Sequence, residues 1–315
     1  MTFRMKFCLP LGSLLLAACV ASLYAQDSAW DAQMEAGAAA LDAGRYVEAE
    51  QHLNAALKEA EQFGRDDPRL AGSLLLLGRV YHDLGKHAKA EPLFRRSLEI
   101  SEKALGPEDP TVALSLNQLA EVYRAQGNYA QAESLNRRSL EISEKALGPE
   151  DPIVAESLNN MALLYRDQGN YAQAEPLFRR SLEILEKALG PDYPGVANTL
   201  HNLAEIYSTQ GDYAEAEPLY KRALAIWEKA LGPEHPDVAT SLNNLAELYD
   251  NQGKYAEAEP LFKRSLAIRE KALGPEHPLV AQTLENYAEL LRKMKRNDEA
   301  TKMEARAKAI RDKQQ

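Results

Sequence analysis

The chain has 315 residues, of which 45% are hydrophobic, 27% charged and 7% aromatic, and its formal net charge is −10. This composition is typical of a soluble protein with a large core. The acidic balance argues against nucleic-acid binding, which needs a surplus of Lys and Arg to neutralise phosphates. Both cysteines, Cys8 and Cys19, lie within the first 20 residues. The rest of the chain therefore has no disulfide scaffold, cysteine-ligated zinc site or cysteine nucleophile.

Residues 1–25 have the pattern of a signal peptide. Arg4 and Lys6 precede an uncharged stretch of 19 residues, which ends in small side chains. A basic start, an apolar middle and small residues before a cleavage site are typical of secretory signals. The body of the protein is therefore predicted to be exported.

The sequence Leu16-Ala17-Ala18-Cys19 resembles the bacterial lipobox, in which the cysteine is acylated and becomes the new N-terminus. It predicts a lipid anchor at Cys19 and a location in the bacterial envelope, either periplasmic or tethered to the outer membrane. Two alternatives stay open: cleavage after Ala25, which releases a soluble protein, and an uncleaved anchor, since the apolar run just reaches spanning length.

A 42-residue period organises the rest of the chain. Gly-Pro pairs begin at residues 106, 148, 190, 232 and 274, and a second series of glycines lies at 85, 127, 169, 211 and 253. Repeats of this length indicate stacked supersecondary units. The predicted repeat region is 27–315, with units at about 27–68, 69–110, 111–152, 153–194, 195–236, 237–278 and 279–315, the last as a cap.

Each unit is predicted to be a pair of helices. Apolar residues in 152–169 follow a helical stripe, and Gly169 is expected to end that helix, with Asn170 capping the next one. Asp109-Pro110 and Asp151-Pro152 are typical of an N-cap followed by a first-turn proline. No segment alternates with a period of two, so the fold class is all-α.

Charged residues on the second helices form acid-before-base pairs four residues apart, which support a helix by a few tenths of a kcal/mol each. The pairs are Glu91/Arg95, Glu133/Arg137, Glu175/Arg179, Glu217/Lys221 and Glu259/Lys263, with a further set at Glu99/Lys103, Glu141/Lys145 and Glu183/Lys187. They are predicted to form a solvated face.

The repeats resemble the tetratricopeptide repeat (TPR), in the long variety found in kinesin light chains. The matching residues include Leu-Asn-Asn-Leu-Ala-Glu-Leu-Tyr at 242–249, the segment 253–262, and Ala-Leu-Gly-Pro at 272–275. The resemblance implies a right-handed α-solenoid of stacked antiparallel helix pairs, with six to seven repeats. Two departures are His87 in place of the repeat tyrosine and Asn136 in place of an aromatic residue.

Five successive first helices carry an amide two residues before the repeat alanine, and in solenoids of this type the first helix lines the concave surface. Amides suit the N–H and C=O groups of an extended peptide, and similar asparagines hold peptides in kinesin-light-chain-like repeats. The candidate groove residues are Gln118, Asn160, Asn202, Asn244 and Asn286, with Asn159, Asn243, Arg124 and Arg166 beside them. The alternative is that duplication copied a polar surface residue.

Other kinds of site are disfavoured. A clamp for a C-terminal carboxylate needs cations beside the amides, but the side chains there are mixed. One series is Glu121, Leu163, Glu205, Glu247 and Glu289, and the next, one turn further on, is Arg124, Arg166, Ser208, Asp250 and Arg292, so the groove is basic towards its front and middle and acidic behind. This acidity favours a partner with basic character at the C-terminal half. His235 and His277 lie in equivalent loops, each of which contains a single histidine, and a whole helix pair separates the two loops. This arrangement favours helix capping over a metal site. No catalytic or phosphate-binding motif is present, so neither enzymatic activity nor a cofactor is predicted.

The sequence thus predicts a non-catalytic scaffold in the bacterial envelope, which binds a protein or peptide partner along the concave groove. No nucleic acid is expected, and the membrane is involved only through the N-terminal lipid. Two alternatives remain: a self-associating structural solenoid, and a regulatory subunit of an enzyme on another chain.

Overall fold

The computed structural model describes residues 28–313, and this part of the chain holds fourteen helices and no strand. The all-α prediction is confirmed. The helices are α1 (Ser28–Asp42), α2 (Tyr46–Phe63), α3 (Pro68–Asp83), α4 (His87–Leu105), α5 (Pro110–Ala125), α6 (Tyr129–Leu147), α7 (Pro152–Asp167), α8 (Tyr171–Leu189), α9 (Pro194–Gln210), α10 (Tyr213–Leu231), α11 (Pro236–Asn251), α12 (Tyr255–Leu273), α13 (Pro278–Lys293) and α14 (Asn297–Asp312).

The predicted aspartate caps are confirmed at the start of the first helix of a pair. The Asp109 carboxylate accepts a hydrogen bond from the Thr111 N–H at 2.8 Å, and Asp151 caps α7 in the same way. The following proline loses nothing, because the first N–H of a helix has no partner in the helix. Gly169 has a φ of +74°, the left-handed conformation predicted for it.

The predicted cap at Asn170 is wrong. Asn170 lies at the N-cap position of α8, but its side chain makes no capping bond and instead donates to Gln173 Oε1 at 2.6 Å. Its φ of −90° and ψ of 66° lie outside the extended region that N-cap residues adopt when the side chain turns back to the helix.

The chain divides into two compact units, one ending at Thr199 and the other beginning at Leu200, within α9. In the first unit each helix from α1 to α7 packs on the next one, and the first helices of adjacent pairs also touch. Phe94 and Phe178 are fully buried. Buried serines tie the two helices of a pair together, as where Ser139 Oγ donates to the Ala113 carbonyl at 2.9 Å.

In the second unit, α10 to α14 pack in the same consecutive manner, and α11 also touches α13. Its core contains Ala204, Tyr220 and Phe262, and the ring of Phe262 stacks on Tyr287 with centroids 6.1 Å apart. Arg269 is 2% exposed, and it donates to the Leu279 carbonyl at 2.9 Å and to Thr283 Oγ1 at 2.7 Å.

The charge pairs on the second helices are partly as predicted. All five pairs in the early part of these helices form, with N–O distances of 2.6 to 3.0 Å. The predicted pairs nearer the helix ends are wrong, because the lysines bond to acids in the turn before the first helix of the same pair. Lys145 contacts Glu108 at 2.6 Å, and Lys103 and Lys187 make equivalent contacts to Asp66 and Glu150.

None of the helices within 28–313 combines the length and apolarity needed to cross a bilayer. The predicted signal peptide at 1–25 and the predicted lipidation site at Cys19 lie outside the described residues.

Candidate functional site

The predicted amides lie on the first helices of successive pairs, one in each pair from α5 to α13. We call these five residues the amide row: Gln118, Asn160, Asn202, Asn244 and Asn286. Gln118 and Asn160 are only 6% exposed, and the other three are partly buried. The side chains therefore lie between neighbouring helices rather than projecting freely, and their hydrogen-bond partners decide what each amide can still offer a ligand.

In the second unit the amide row is bonded to the preceding first helix. Asn244 Nδ2 donates to Glu205 Oε1 at 2.9 Å and lies 3.1 Å from His201 Nε2. Asn286 Nδ2 repeats the arrangement one unit later and donates to Glu247 and to Asn243 Oδ1. The amide donors of Asn244 and Asn286 are thus used to join neighbouring repeats.

The acidic residues of this network are also engaged. Glu247 accepts from Asn243 Nδ2 at 2.5 Å as well as from Asn286, and burial raises the pKa of its carboxyl. Glu289, by contrast, is 68% exposed and pairs with Lys293 at 3.2 Å. The predicted preference of this half for a basic partner stays a prediction.

In the first unit the bonding pattern is different. Gln118 Nε2 donates to Glu156 Oε1 at 3.3 Å, and Asn117 Nδ2 donates to Ser157 Oγ at 3.1 Å. Asn160 makes no side-chain hydrogen bond to any residue of the described range, and the buried Asn117 Oδ1 has no partner either. Asn160 is therefore an amide of the row whose donors and acceptor are both unused.

The two predicted arginines are held by acids. Arg124 donates to Glu121 at 2.9 Å and also to Asp167, which contacts Arg166 at 3.0 Å as well. Burial opposes the positive charge of Arg124, but the two acids outweigh it and raise the pKa of its guanidinium. Neither arginine resembles a cation left open for a carboxylate ligand.

The structure adds a charged cluster that sequence reasoning missed. Arg79 Nε contacts both carboxylate oxygens of Asp83, at 3.1 and 3.2 Å, and Glu156 and Asp42 also act on its charge and raise its pKa. Burial, followed by the same two acids, raises the pKa of the Tyr193 hydroxyl. Residues from α1, α3, α7 and the turn before α9 are thus brought close together.

A signal for this cluster was present in the sequence as a departure from the repeat. Glu156 stands where neighbouring units have Leu114, Asn198, Thr240 and Gln282, and Tyr193 replaces the capping aspartate. Gly195 accommodates the tyrosine, because a Cβ there would lie 2.6 Å from the Tyr193 ring. The repeat pattern did not identify Glu156 and Tyr193, because neither residue occurs at the equivalent positions of the neighbouring units.

The loop histidines act as caps, as predicted. His235 Nδ1 accepts from the Asp237 N–H and His277 Nδ1 from the Leu279 N–H, both at 3.2 Å. Across residues 28–313, no three His, Cys, Asp or Glu side chains gather as metal ligands would.

The sequence profile of the tetratricopeptide repeat matches six overlapping segments: 30–103, 71–145, 111–187, 153–229, 195–271 and 251–313. The chain belongs to the tetratricopeptide repeat family. The predicted resemblance is thereby confirmed for the repeats, and the helix pairs of the structure are TPR units.

Solved structures of kinesin-light-chain-like TPR proteins are similar to this chain. BtubC (BKLC) from P. vanneervenii is 25% identical, with a TM-score of 0.56, over 73% of this chain and 92% of that one. A putative kinesin light chain from Podosopora anserina with nearly identical TPR-like repeats is 29% identical, with a TM-score of 0.54, over 66% and 99% of the respective chains.

A more distant likeness extends over more of the chain. The Rap conjugation gene regulator of the plasmid pLS20, solved in complex with the Phr* peptide, has a TM-score of 0.69 at 18% identity, over 90% of this chain and 74% of that one. At this identity the likeness concerns the fold alone. A search of curated protein sequences found no match.

Proposed function

We propose that this TPR protein is a non-catalytic scaffold of the bacterial envelope that binds a peptide or protein partner along the amide row. The observation that carries the proposal is the placement of one amide on each successive first helix, with Asn160 left without a hydrogen-bond partner in the described range. The amide group of Asn160 can donate to a carbonyl and accept from an N–H of a bound peptide backbone.

The binding mechanism follows from the rigidity of the helix pairs. Side chains fixed by packing and by bonds such as Gln118 to Glu156 need little further ordering when a segment docks. The entropic cost of binding then falls mainly on the partner. The Rap regulator with its bound peptide shares only the fold, so the proposal rests on this chain's own residues.

Site-specific photo-cross-linking in the source cells tests the proposal. A photoreactive residue at position 163 on α7, where Leu163 lies one turn beyond Asn160 on the same helix face, is expected to give a discrete adduct with the partner. The matched control is position 131, because Gln131 is exposed on the second helix α6. Adducts at 131 and none at 163 would place binding elsewhere and reject the proposal.

The amides themselves are tested by replacing Gln118 and Asn160 with Ala together. The double variant is expected to lose the adduct at position 163 while keeping its helical content, and Gln131→Ala is expected to keep both. An undiminished adduct in the double variant would remove the amide row from the binding face.

The envelope location is part of the same proposal and rests on the sequence of residues 1–25. Intact-mass analysis of the processed chain is expected to find a diacylglycerol-bearing Cys19, and Cys19→Ser is expected to release the protein from the membrane fraction. A processed chain that begins at Gln26 would instead mean a soluble exported protein.

A further inference from the structure

Glu156 is an inward residue of the first unit whose charge has no counter-ion in contact. Its carboxylate accepts a hydrogen bond from the neutral Gln118 amide at 3.3 Å and forms no ion pair with any residue in 28–313. Burial raises the pKa of this carboxyl, and the more distant Arg79 only partly opposes that. A carboxylate in this state gains stability from any cation that reaches it.

Three arginines of the described part of the first unit are already engaged in ion pairs. Arg79 is held by Asp83 at 3.1 Å, Arg124 by Glu121 and Asp167, and Arg166 by Asp167. Moving any of these arginines to Glu156 would break an existing ion pair. Among residues 28–313, Arg79 is the only cation that acts on the charge of Glu156, so a cation in direct contact with this carboxylate would have to be supplied by the partner.

A second, separate observation lies one turn further along the same helix. Asn160 is 6% exposed and has no side-chain hydrogen bond within 28–313. Its counterpart Asn286 bonds both to Glu247 and to Asn243. Asn160 does not make the equivalent contacts, since the Glu121 carboxylate is bonded to Arg124 and the Asn117 amide group donates to Ser157.

Residues four apart on a helix lie on one face, with their Cβ atoms about 5–6 Å apart. Glu156 and Asn160 therefore offer, side by side, an acceptor for a cation and an amide for a peptide backbone. The Asn160 amide can donate to a carbonyl and accept from an N–H of the partner's backbone. A basic side chain on that backbone could then extend to Glu156, one turn earlier on the same helix face.

We propose that the Glu156–Asn160 face of α7 is a specificity site for a basic residue of the partner, whose ammonium or guanidinium group bonds to Glu156 while its backbone bonds to Asn160. This inference rests on the proposed binding function and narrows it to a partner segment with a Lys or Arg at one position. The proposed site lies in the first unit only. In the second unit the amide donors of Asn244 and Asn286 are already bonded to the preceding first helix.

The test uses a library of random 12-residue peptides displayed on phage and selected against the purified full-length chain. Peptides selected by the wild type are expected to carry Lys or Arg at one aligned position. Glu156→Gln is expected to remove that preference. The matched control is Glu141→Gln, since Glu141 is exposed on α6 and its replacement removes the same charge from the outer surface.

One selected peptide is then measured by isothermal titration calorimetry beside its analogue with norleucine at the basic position. Glu156→Gln is expected to weaken the original peptide about tenfold and leave the norleucine analogue unchanged, because the two replacements remove the same contact. Equal weakening of both peptides, or basic residues retained in selections against Glu156→Gln, would overturn the inference.

The outcomes separate this inference from the function on which it rests. The selected peptides could lack a preference for Lys or Arg and still fail to bind the Gln118→Ala, Asn160→Ala double variant. That result would support binding along the amide row and would reject the role of Glu156. Failure of every form of the chain to select peptides would reject both. Melting curves followed by circular dichroism establish that each variant is folded before selection.

Discussion

Phe94 on α4 packs directly against Gly78 on α3, so closely that a Cβ on Gly78 would lie 2.6 Å from the phenyl ring. The same slot recurs in the later pairs, where Ala120, Ala162, Ala204 and Ala246 follow Gly78 at 42-residue intervals and Phe178, Tyr220 and Phe262 follow Phe94. Small residues on the first helix therefore make room for an aromatic ring from the second. The exception is Asn136, which faces this slot in the third pair.

Asn136→Phe is expected to stabilise the protein. Asn136 is 1% exposed and its Oδ1 is buried without a partner, so the wild type bears the cost of an unsatisfied acceptor in an apolar slot. A phenyl ring removes that acceptor and buries apolar surface, a gain of about 1–3 kcal/mol in the free energy of unfolding. Urea unfolding followed by circular dichroism measures the change.

The reciprocal control is Phe178→Asn, which is expected to lower the free energy of unfolding by about 3–5 kcal/mol because it opens a cavity and buries an amide. A destabilised Asn136→Phe would mean that neighbouring side chains already occupy the volume.

Ala204→Phe is expected to destabilise the second unit by about 1–3 kcal/mol, since Ala204 is fully buried beside the aromatic slot that Tyr220 fills. Thermal melting compares this variant with Ala125→Phe, which enlarges a side chain at the exposed end of α5. An unchanged melting temperature for Ala204→Phe would contradict the close packing of the two helices.

Asp109 and Asn170 both occupy N-cap positions, but only Asp109 bonds to the helix that follows it. Asp109→Ala is therefore expected to cost about 0.5–2 kcal/mol, the usual value of a lost side-chain cap. Asn170→Ala removes only the exposed bond to Gln173, and we expect a cost below about 0.5 kcal/mol. Urea unfolding of the two variants side by side checks the difference, and equal costs would contradict it.

The repeat period was sufficient to predict the helix pairs, because buried apolar residues recur at helical spacing and the glycine and proline signals mark the turns. Periodicity also placed Gln118 and Asn160 on the first helices. It did not identify which atoms their amides bond to, since the partner depends on which side chains the adjacent repeat presents. Arg124, which holds Glu121 away from Asn160, has a serine counterpart at 208 and an aspartate at 250.

The predicted pairing of Lys145 with Glu141 was wrong for a related reason. Spacing along one helix treats the helix as isolated, whereas the turn that contains Glu108 brings another carboxylate within 2.6 Å of the same ammonium group. Glu156 was missed because it occurs once. Contacts between residues that recur in every repeat can be inferred from the period. Contacts of residues that occur in only one repeat, such as Glu156, can be identified only from the structure.

His277 makes the stability of the second unit depend on pH. Its neutral Nδ1 accepts the capping bond from Leu279, and burial together with the nearby Arg269 lowers the pKa of the imidazole below its usual 6.5. A lowered pKa in the folded state means that the unfolded chain binds the proton more readily. The stability that this histidine contributes is therefore complete above about pH 6.5 and is lost as the pH falls through the folded-state value.

His277→Asp is expected to remove this dependence. Aspartate caps its helix at the equivalent positions Asp109 and Asp151. A model aspartate carboxyl ionises near pH 4, so the cap of the variant is expected to persist at pH 5. The variant's advantage in free energy of unfolding should be larger at pH 5.0 than at pH 7.5, by up to about 1–2 kcal/mol. The comparison with pH 7.5 cancels the attraction between the new carboxylate and Arg269, which is ionised at both values. An advantage of the same size at the two pH values would mean that the His277 cap is not lost on protonation.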